Sequence, residues 1–312
     1  MWHQTVSLLR KSCNGATIDE LCGLFGHSRQ AYYKRGDEPD YRYAALEPLI
    51  VESVREYRGR SPRLGAHKLY HLVRRRFEQT GCFPGRDSFI EILRDNNLMV
   101  KYKKRRHYKT TDSQHPYKKY PNLIQGMQVV RPNMVWVSDI TYVETRAGVC
   151  YLSLVTDAYS RKIVGWSLGQ TLEAIYPIDA LKMALADVPW NSETELIHHS
   201  DRGSQYCSGA YVQLLTSHGV GISMTQSGDP LENAIAERAN GILKTEWLNH
   251  MELTDFEHCK SQLHDIIDFY NNERPHMSLG YMTPSKVHGG DKPKPRLWKN
   301  YWQRAAAQQE NS

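Results

Sequence analysis

The chain has 312 residues, of which 40% are hydrophobic and 24% are charged, and its formal net charge is +6. This composition is typical of a globular protein with one to three domains and excludes an intrinsically disordered chain. The sequence has no apolar run long enough to cross a membrane and no signal-peptide layout, so neither membrane insertion nor secretion is expected. The six cysteines form no C-x-x-C pair, which favours reduced thiols in a cytoplasm over a disulfide framework or a zinc ribbon.

Positive charge is concentrated in the first part of the chain. Residues 1–120 contain 24 lysines and arginines against 13 acids, whereas the remainder contains 16 against 21. A clustered excess of basic residues is the electrostatic signature of nucleic-acid binding. We therefore expect the main DNA-binding surface in the front part.

Residues 17–35 predict a helix-turn-helix. Thr17 and Glu20 have the spacing of a capping box, and Gly26 marks a tight turn after the first helix. A second helix that begins at about Ser28 would present a polar face to DNA. Its predicted DNA contacts are Arg29, Gln30 and Lys34. A simple packing hairpin is the alternative.

Two further helical stretches follow. Residues 41–57 predict an amphipathic connecting helix, which would complete an N-terminal domain over 1–58. Residues 59–99 predict a second helical DNA-binding unit. The outer side of its first helix carries an arginine cluster, Arg74, Arg75 and Arg76. Any one of these arginines could be a solvated surface charge, but the cluster as a whole favours contact with DNA phosphates.

Residues 100–132 predict a basic linker. From 100 to 119 the sequence contains eight lysines and arginines, one acid and no hydrophobic period. Tyrosines alternate with the basic residues, a combination that suits phosphate contact together with base stacking. The predicted DNA contacts are Lys103, Lys104, Arg105 and Arg106. A flexible soluble connector is the alternative.

From residue 133 the pattern changes to three hairpin-like strands followed by alternating helices and strands. This order predicts an α/β domain over 133–289 with a mixed five-stranded sheet and helices on both sides. Residues 290–312 predict a tail that is first basic and aromatic and then polar. The tail could contact DNA or a second subunit.

Three acids within this domain occupy positions that burial alone does not explain. Asp139 interrupts the apolar face of a predicted strand, and Asp201 follows a short buried strand, at the end where open α/β sheets place ligands. Glu237 lies on a predicted helix, on a polar stripe about 60° wide. The other members of this stripe are Asn233, Asn240 and Lys244. Such carboxylates are the ligands that Mg²⁺ prefers.

Other polar residues surround the three acids. The predicted DNA contacts of this region are Arg202, Gln205, Asn233 and Lys244. Asp157 is expected to stabilise a turn. His198 and His199 precede Asp201 but have no cysteine partners at zinc-ligand spacing, and His199 could instead support a metal site from behind.

Five ordered motifs carry a family resemblance. They are VWVSDITYV, LVTDAYSRKIVGW, HHSDRGSQY, ENAIAERANGILKTEW and FYNNERPHMSLGYMTPSKVH. From Asn133 to His288 the chain resembles the DDE transposases of the insertion-sequence-three family, which are relatives of retroviral integrases. The 35 residues between Asp201 and Glu237 are the spacing known for that family. The sequence departs from the family pattern at Glu232, where Asp is usual, and at 238–240, where aromatic residues are common.

The resemblance implies an RNase H-like core in which Asp139, Asp201 and Glu237 are catalytic and bind two Mg²⁺ ions, for which Mn²⁺ is expected to substitute. It implies a DNA transposase that cuts transposon ends and transfers the strand to target DNA by direct attack of water or a 3′-hydroxyl. We expect a homo-oligomer in the bacterial cytoplasm, associated with the nucleoid. An upstream reading frame could supply a fused or separate partner, and no membrane partner is expected.

Two alternatives stay open at this point. A recombinase with a covalent tyrosine or serine intermediate would use a protein nucleophile, which the acid set does not favour. A catalytically silent, transposase-derived DNA-binding regulator would tolerate loss of the acids, yet all three are present.

Overall fold

The computed structural model describes residues 2–12, 15–34, 43, 45–100, 116–188, 195–226 and 233–292. The chain begins with α1 (Trp2–Ser12), α2 (Ile18–Gly23) and α3 (Arg29–Lys34). The helices α2 and α3 lie where the sequence predicted two helices joined by a turn, and both hydrogen bonds of the Thr17–Glu20 capping box are present. Val6, Ile18, Leu21 and Cys22 of α1 and α2 form a small core, and Tyr32 of α3 packs against it.

The next three helices are α4 (Glu47–Arg60), α5 (Ala66–Arg76) and α6 (Arg86–Asp95). The predicted boundary after residue 58 therefore falls inside α4. Buried apolar residues of all three helices belong to one core, which they share with strands and helices of the C-terminal part. The helical unit and the sheet domain consequently form a continuous packed structure.

The C-terminal part contains one sheet of five strands. They are β1 (Val135–Thr145), β2 (Gly148–Asp157), β3 (Ile163–Gly169), β4 (Ile197–Ser200) and β5 (Gly221–Met224). The strand order is β3-β2-β1-β4-β5. The pairs β1–β2 and β2–β3 are antiparallel, whereas β1–β4 and β4–β5 are parallel. The mixed five-stranded sheet and the RNase H-like fold are thereby confirmed.

Helices cover both faces of this sheet. They are α7 (Ile175–Ala186), α8 (Ser204–Cys207), α9 (Gly209–Ser217), α10 (Ala234–Glu246), α11 (Phe256–Asn272) and α12 (Pro284–His288). Because side chains alternate along a strand, Leu152 and Leu154 of β2 pack with α10 and α11, whereas Val155 packs with α7 and α9. The helices α4 to α6 extend the layer that contains α10 and α11.

The connecting and terminal segments are described only in part. After residue 115 the chain runs beside β5, where the amide of Met224 bonds the carbonyl of Pro121 and Ser223 Oγ accepts the amide of Leu123. The predicted linker contacts at 103–106 and the predicted tail from 293 onward lie outside the described residues. In the part of the chain that is described, no helix is both long and apolar enough to span a membrane.

Candidate active site

Asp139 and Asp201 lie side by side on neighbouring parallel strands. In the register of β1 and β4, Val137 pairs with His199. Asp139 and Asp201 each follow two residues later, so the two carboxylates leave the sheet at the same level. The prediction that Asp201 emerges at the carboxyl end of a strand is confirmed, since β4 ends at Ser200.

The carboxylate of Asp139 is held at both oxygens. Its Oδ1 accepts the backbone amide of Ile140 at 2.9 Å, and its Oδ2 accepts Nδ2 of Asn240 at 2.8 Å. The side chain keeps a partly exposed edge, but protein surrounds it densely. Loss of water, followed by repulsion from Asp201 and Glu237, raises the pKa of Asp139 to about 7, although the hydrogen bond from Asn240 opposes this shift. The hydrogen bonds from Ile140 and Asn240 therefore do not offset the negative charge of the site.

Asp201 is fixed by a tight turn. Its Oδ1 accepts the backbone amide of Gly203 at 3.0 Å. A Cβ atom at position 203 would lie 3.1 Å from that oxygen and 3.2 Å from Oε1 of Gln205. Glycine at this position is therefore what lets the turn close on the carboxylate.

The polar stripe of α10 lies along β1, although Glu237 within it is exposed. Nδ2 of Asn233 donates to the carbonyl of Ser138 at 3.1 Å, and Nζ of Lys244 lies 3.5 Å from the centre of the Tyr142 ring. Asn240 contacts Asp139 between these two points. The opposite side of the helix is buried in the core through Ala239, Ile242 and Leu243. Helical periodicity correctly grouped the stripe, but α10 is enclosed on two sides.

Glu237 lies in the first turn of α10, three positions before Asn240, and its side chain is exposed. Partial loss of water around its carboxylate raises the pKa of Glu237. Its charge contributes to the raised pKa of Asp139, which places the two acids in the same electrostatic environment. Among the described residues, however, no three His, Cys, Asp or Glu side chains are already arranged to hold a metal ion.

The chemistry of the donors fits a hard divalent cation. The three acids provide only oxygen atoms, and a cation would relieve the repulsion between Asp139 and Asp201. Asn240 is 5% exposed, and its Oδ1 is a buried acceptor without a hydrogen-bond partner in the described part of the chain. A buried polar atom without a partner costs free energy. The site thus has spare oxygen acceptors and excess negative charge, as a cation site requires.

A buried network lies directly behind the strand acids. Nε2 of His198 lies 2.7 Å from Oγ of Ser138 and 2.9 Å from the hydroxyl of Tyr211. Burial, with a smaller effect from His199, lowers the pKa of His198 to about 3. His199 Nδ1 lies 2.8 Å from Oγ of Ser223. Both histidines are therefore occupied by contacts with their neighbours in the fold, and support of a metal site by His199 stays a prediction.

Sequence reasoning gave no role to Ser138, Tyr211 or the amide of Asn240. Ser138 adjoins Asp139, but alternation places it on the other face of the strand, so adjacency did not reveal its partner. The predicted turn role of Asp157 is confirmed, since its carboxylate accepts the amides of Asn133 and Ser160.

The predicted DNA contacts of the helical unit fall into two groups. Arg29, Gln30, Arg74 and Arg75 are exposed, and Lys34 is the last residue of α3. Arg76 instead forms a two-pronged ion pair with Glu56 and stacks on the ring of Tyr57, 4.5 Å from its centre. Arg76 is exposed as well, but its donors are used within the fold, so a DNA contact for Arg76 stays a prediction.

The predicted contacts of the core are also divided. Asn233 is 6% exposed and bonds the backbone of β1, so the structure contradicts its predicted contact with DNA. Gln205 donates Nε2 to the carbonyl of Leu172 at 2.9 Å, which ties the Asp201 turn to the segment before α7. Arg202, which follows Asp201 in the chain, and Lys244, which lies over the Tyr142 ring, are partly buried. A DNA contact stays a prediction for Arg202, Gln205 and Lys244.

Comparisons with known proteins agree with this geometry. Two models of the integrase core domain match residues 129–230 and 218–284. The chain is 35% identical over 269 residues to the insertion element IS600 uncharacterized 31 kDa protein of Shigella sonnei, covering 85% of this chain and 96% of that protein. It is 34% identical to the transposase for insertion sequence element IS904 of Lactococcus lactis, covering 81% and 96%.

A solved structure with a similar arrangement is the HTLV-2 integrase catalytic core domain in complex with magnesium. It is 18% identical, the match covers 52% of this chain and 99% of that one, and the TM-score is 0.41.

Proposed function

Because the chain belongs to the insertion-sequence transposases with an integrase core, we propose that Asp139, Asp201 and Glu237 are the catalytic residues of a DNA transposase. The single observation that carries this assignment is the placement of Asp139 and Asp201 at one level of adjacent strands, with α10 bonded to Asp139 one turn beyond Glu237. The raised pKa of Asp139 supports it, because strongly shifted pKa values cluster at functional sites.

The protein's own residues have distinct roles in this mechanism. Asp139 and Asp201 are pre-oriented by backbone amides at Ile140 and Gly203, and Glu237 is the adjustable third acid. Two divalent cations of the Mg²⁺ type, with Mn²⁺ as a substitute, would activate the attacking oxygen and stabilise the leaving one when bound. The three acids would hold them, and Asn240 keeps the Asp139 carboxylate aimed at the site. No side chain acts as a covalent nucleophile.

End binding belongs to the helical unit. Exposed basic and polar residues at positions 29, 30, 74 and 75 suit phosphate and groove contacts with transposon ends. Such binding weakens steeply with salt. Since two ends must meet at one target, the working form is a homo-oligomer, acting in the cytoplasm on nucleoid DNA, and an upstream-frame partner could add a further DNA-binding segment.

The experiment is cleavage of duplex DNA that carries a terminal inverted repeat, with and without Mg²⁺. Asp139→Asn, Asp201→Asn and Glu237→Gln are each expected to abolish cleavage and to leave the Kd for end DNA close to that of the wild type. Glu144→Gln is the matched control, since Glu144 is an exposed acid on the same strand as Asp139.

Three results would overturn the proposal. Near-native cutting by any of the three variants would remove that residue from the catalytic set. A covalent protein–DNA adduct would indicate a serine or tyrosine recombinase. Tight end binding by the wild type without any metal-dependent cutting would indicate a silent regulator.

A further inference from the structure

The C-terminal end of α10 meets both the helical unit and the segment that follows α11. Glu246, the last residue of α10, receives two hydrogen bonds from Arg274, from Nε at 2.7 Å and from Nη2 at 2.8 Å. Nζ of Lys68, on α5, lies 2.5 Å from the same carboxylate. The side chains of Lys68, Glu246 and Arg274 are only 15%, 10% and 2% exposed. We call these three residues the Glu246 junction.

Main-chain contacts reinforce this junction. The amide of Arg63 donates to the carbonyl of Glu246 at 3.2 Å, so the segment between α4 and α5 satisfies an otherwise open carbonyl at the end of α10. Nε1 of Trp247, a fully buried residue, donates to the carbonyl of Arg60 at 2.8 Å. The helical unit is therefore bonded directly to the helix that carries Glu237.

The charges of the junction do not balance. Two cations share one carboxylate in a buried place, and burial together with Arg274 and the nearby Arg238 lowers the pKa of Lys68. Buried ion clusters are weak sources of net stability, because desolvation offsets most of the attraction, and their better supported use is to specify one geometry. Lys68 therefore needs an explanation other than stability.

Helical geometry indicates which arrangement the Glu246 junction specifies. Contacts with β1 hold one side of α10 at Asn240, and Glu246 lies six positions later, about 120° around the helix axis. Contacts on two sides of α10 restrict its rotation about the helix axis. Roll of α10 would carry Glu237 away from Asp139, because that exposed side chain projects from the same helix.

We propose that the Glu246 junction positions the catalytic helix, with Lys68 as the contact through which the DNA-binding helical unit holds Glu237 in register with Asp139. Lys68 and Arg274 are positioning residues, since neither needs to touch DNA or the reacting atoms. This inference rests on the proposed role of Glu237. It adds that the helical unit, which binds transposon ends, is physically connected to the helix that carries Glu237.

Lys68→Met is the decisive variant, because it leaves the Glu246–Arg274 pair intact and removes the unbalanced charge. We expect wild-type thermal stability and end-DNA Kd, a roughly tenfold higher Mg²⁺ concentration for half-maximal cleavage, and faster amide hydrogen exchange over residues 234–240. Glu273→Gln is the matched control. Glu273 joins Arg60 to the same C-terminal segment through an exposed ion pair that does not touch α10, so this variant should match the wild type in every measurement.

A Lys68→Met protein with unchanged Mg²⁺ dependence and unchanged exchange over 234–240 would overturn the inference. Glu246→Gln provides a second measurement. It leaves two buried cations unpaired, and if it still folds, its exchange over 234–240 should rise more than in Lys68→Met, whereas protection equal to the wild type would count against the junction. Failure of the proposed function is recognised separately, since the wild type itself would then show no metal-dependent cleavage.

Discussion

Asn240 donates a hydrogen bond from Nδ2 to Oδ2 of Asp139 at 2.8 Å. This contact joins a helix to the central strand of the sheet, and the two residues are 101 positions apart in the chain. Because the acceptor is a carboxylate with little surrounding water, the bond stabilises the ionised form of Asp139. A neutral amide thereby favours the charge state that a cation requires.

Asn240→Leu is expected to weaken cation binding. A hydrogen bond to a charged group contributes about 1.5–3 kcal/mol, so the Mn²⁺ affinity of the free protein, measured by electron paramagnetic resonance, should fall roughly tenfold or more. Asn272→Leu is the control, because Asn272 also donates Nδ2 to an aspartate, Asp268 at 2.7 Å, but on an exposed surface. Equal Mn²⁺ affinity in both variants would show that the contact with Asp139 is unimportant.

The fold was largely predictable because its signals are local. Alternation along β1 and the turn after β4 located Asp139 and Asp201, and helical period grouped Asn240 with Glu237. Helical periodicity does not tell whether a polar stripe faces water or another polar surface of the protein. Asn233 and Asn240 of the α10 stripe contact β1, whereas Glu237 is exposed, so Asn233 was wrongly expected to contact DNA.

The union of the helical unit with the core was not predictable for a different reason. Lys68 and Glu246 are 178 residues apart, and nothing in either local sequence indicates the other. The change in net charge after residue 120 favoured separate domains. Every lysine and arginine was counted as part of a DNA-binding surface, because the sequence does not tell which of these side chains are buried. Lys68 is one such cation, buried against Glu246 of α10, whereas Arg76 is exposed but is paired with Glu56 of α4.

The raised pKa of Asp139 predicts a pH-dependent stability in the absence of metal. Its pKa is about 7 in the folded state and about 3.9 in an unfolded chain. Between these values the folded state binds more protons, so the free energy of unfolding falls as pH rises from about 4 to about 7 and then levels. Asp139→Asn should remove this fall and stabilise the protein at pH 8 by at most about 4 kcal/mol.

Urea unfolding at a series of pH values checks this expectation. Glu144→Gln, on the same strand but exposed, should keep the wild-type slope. An Asp139→Asn protein that loses stability with rising pH as steeply as the wild type would show that Asp139 does not titrate in this range.

Gly203→Ala is expected to impair cleavage more than stability. An added methyl group would lie 3.1 Å from Oδ1 of Asp201 and 3.2 Å from Oε1 of Gln205, closer than relaxed contacts allow. These two oxygen atoms must shift by a few tenths of an ångström to admit it, and one of them belongs to the Asp201 carboxylate. We expect a roughly tenfold or larger loss in kcat, with a stability loss of about 1 kcal/mol.

Gly209→Ala is the matched control, since a Cβ at the start of α9 would meet nothing within 4 Å. It should cut like the wild type. If Gly203→Ala has the same kcat as Gly209→Ala, the turn has enough freedom to leave Asp201 in place.

His198 predicts an acid sensitivity of the opposite sign. Burial lowers its pKa to about 3, whereas an unfolded chain titrates histidine near 6.5. The unfolded state therefore binds more protons below about pH 6.5, and this contribution to stability is lost, by about 1.4 kcal/mol per pH unit, as pH falls from 6.5 toward 3. His276 also has a pKa lowered to about 3, so it contributes to the loss of stability at acid pH in the same direction.

His198→Asn should make the loss of stability toward acid pH less steep. Because Asp139 contributes the reverse slope in this range, the comparison belongs in the Asp139→Asn background, with the exposed His218→Asn as control. An unchanged slope on replacing His198 would mean that its ring binds protons in the folded state about as readily as in an unfolded chain, which contradicts the lowered pKa.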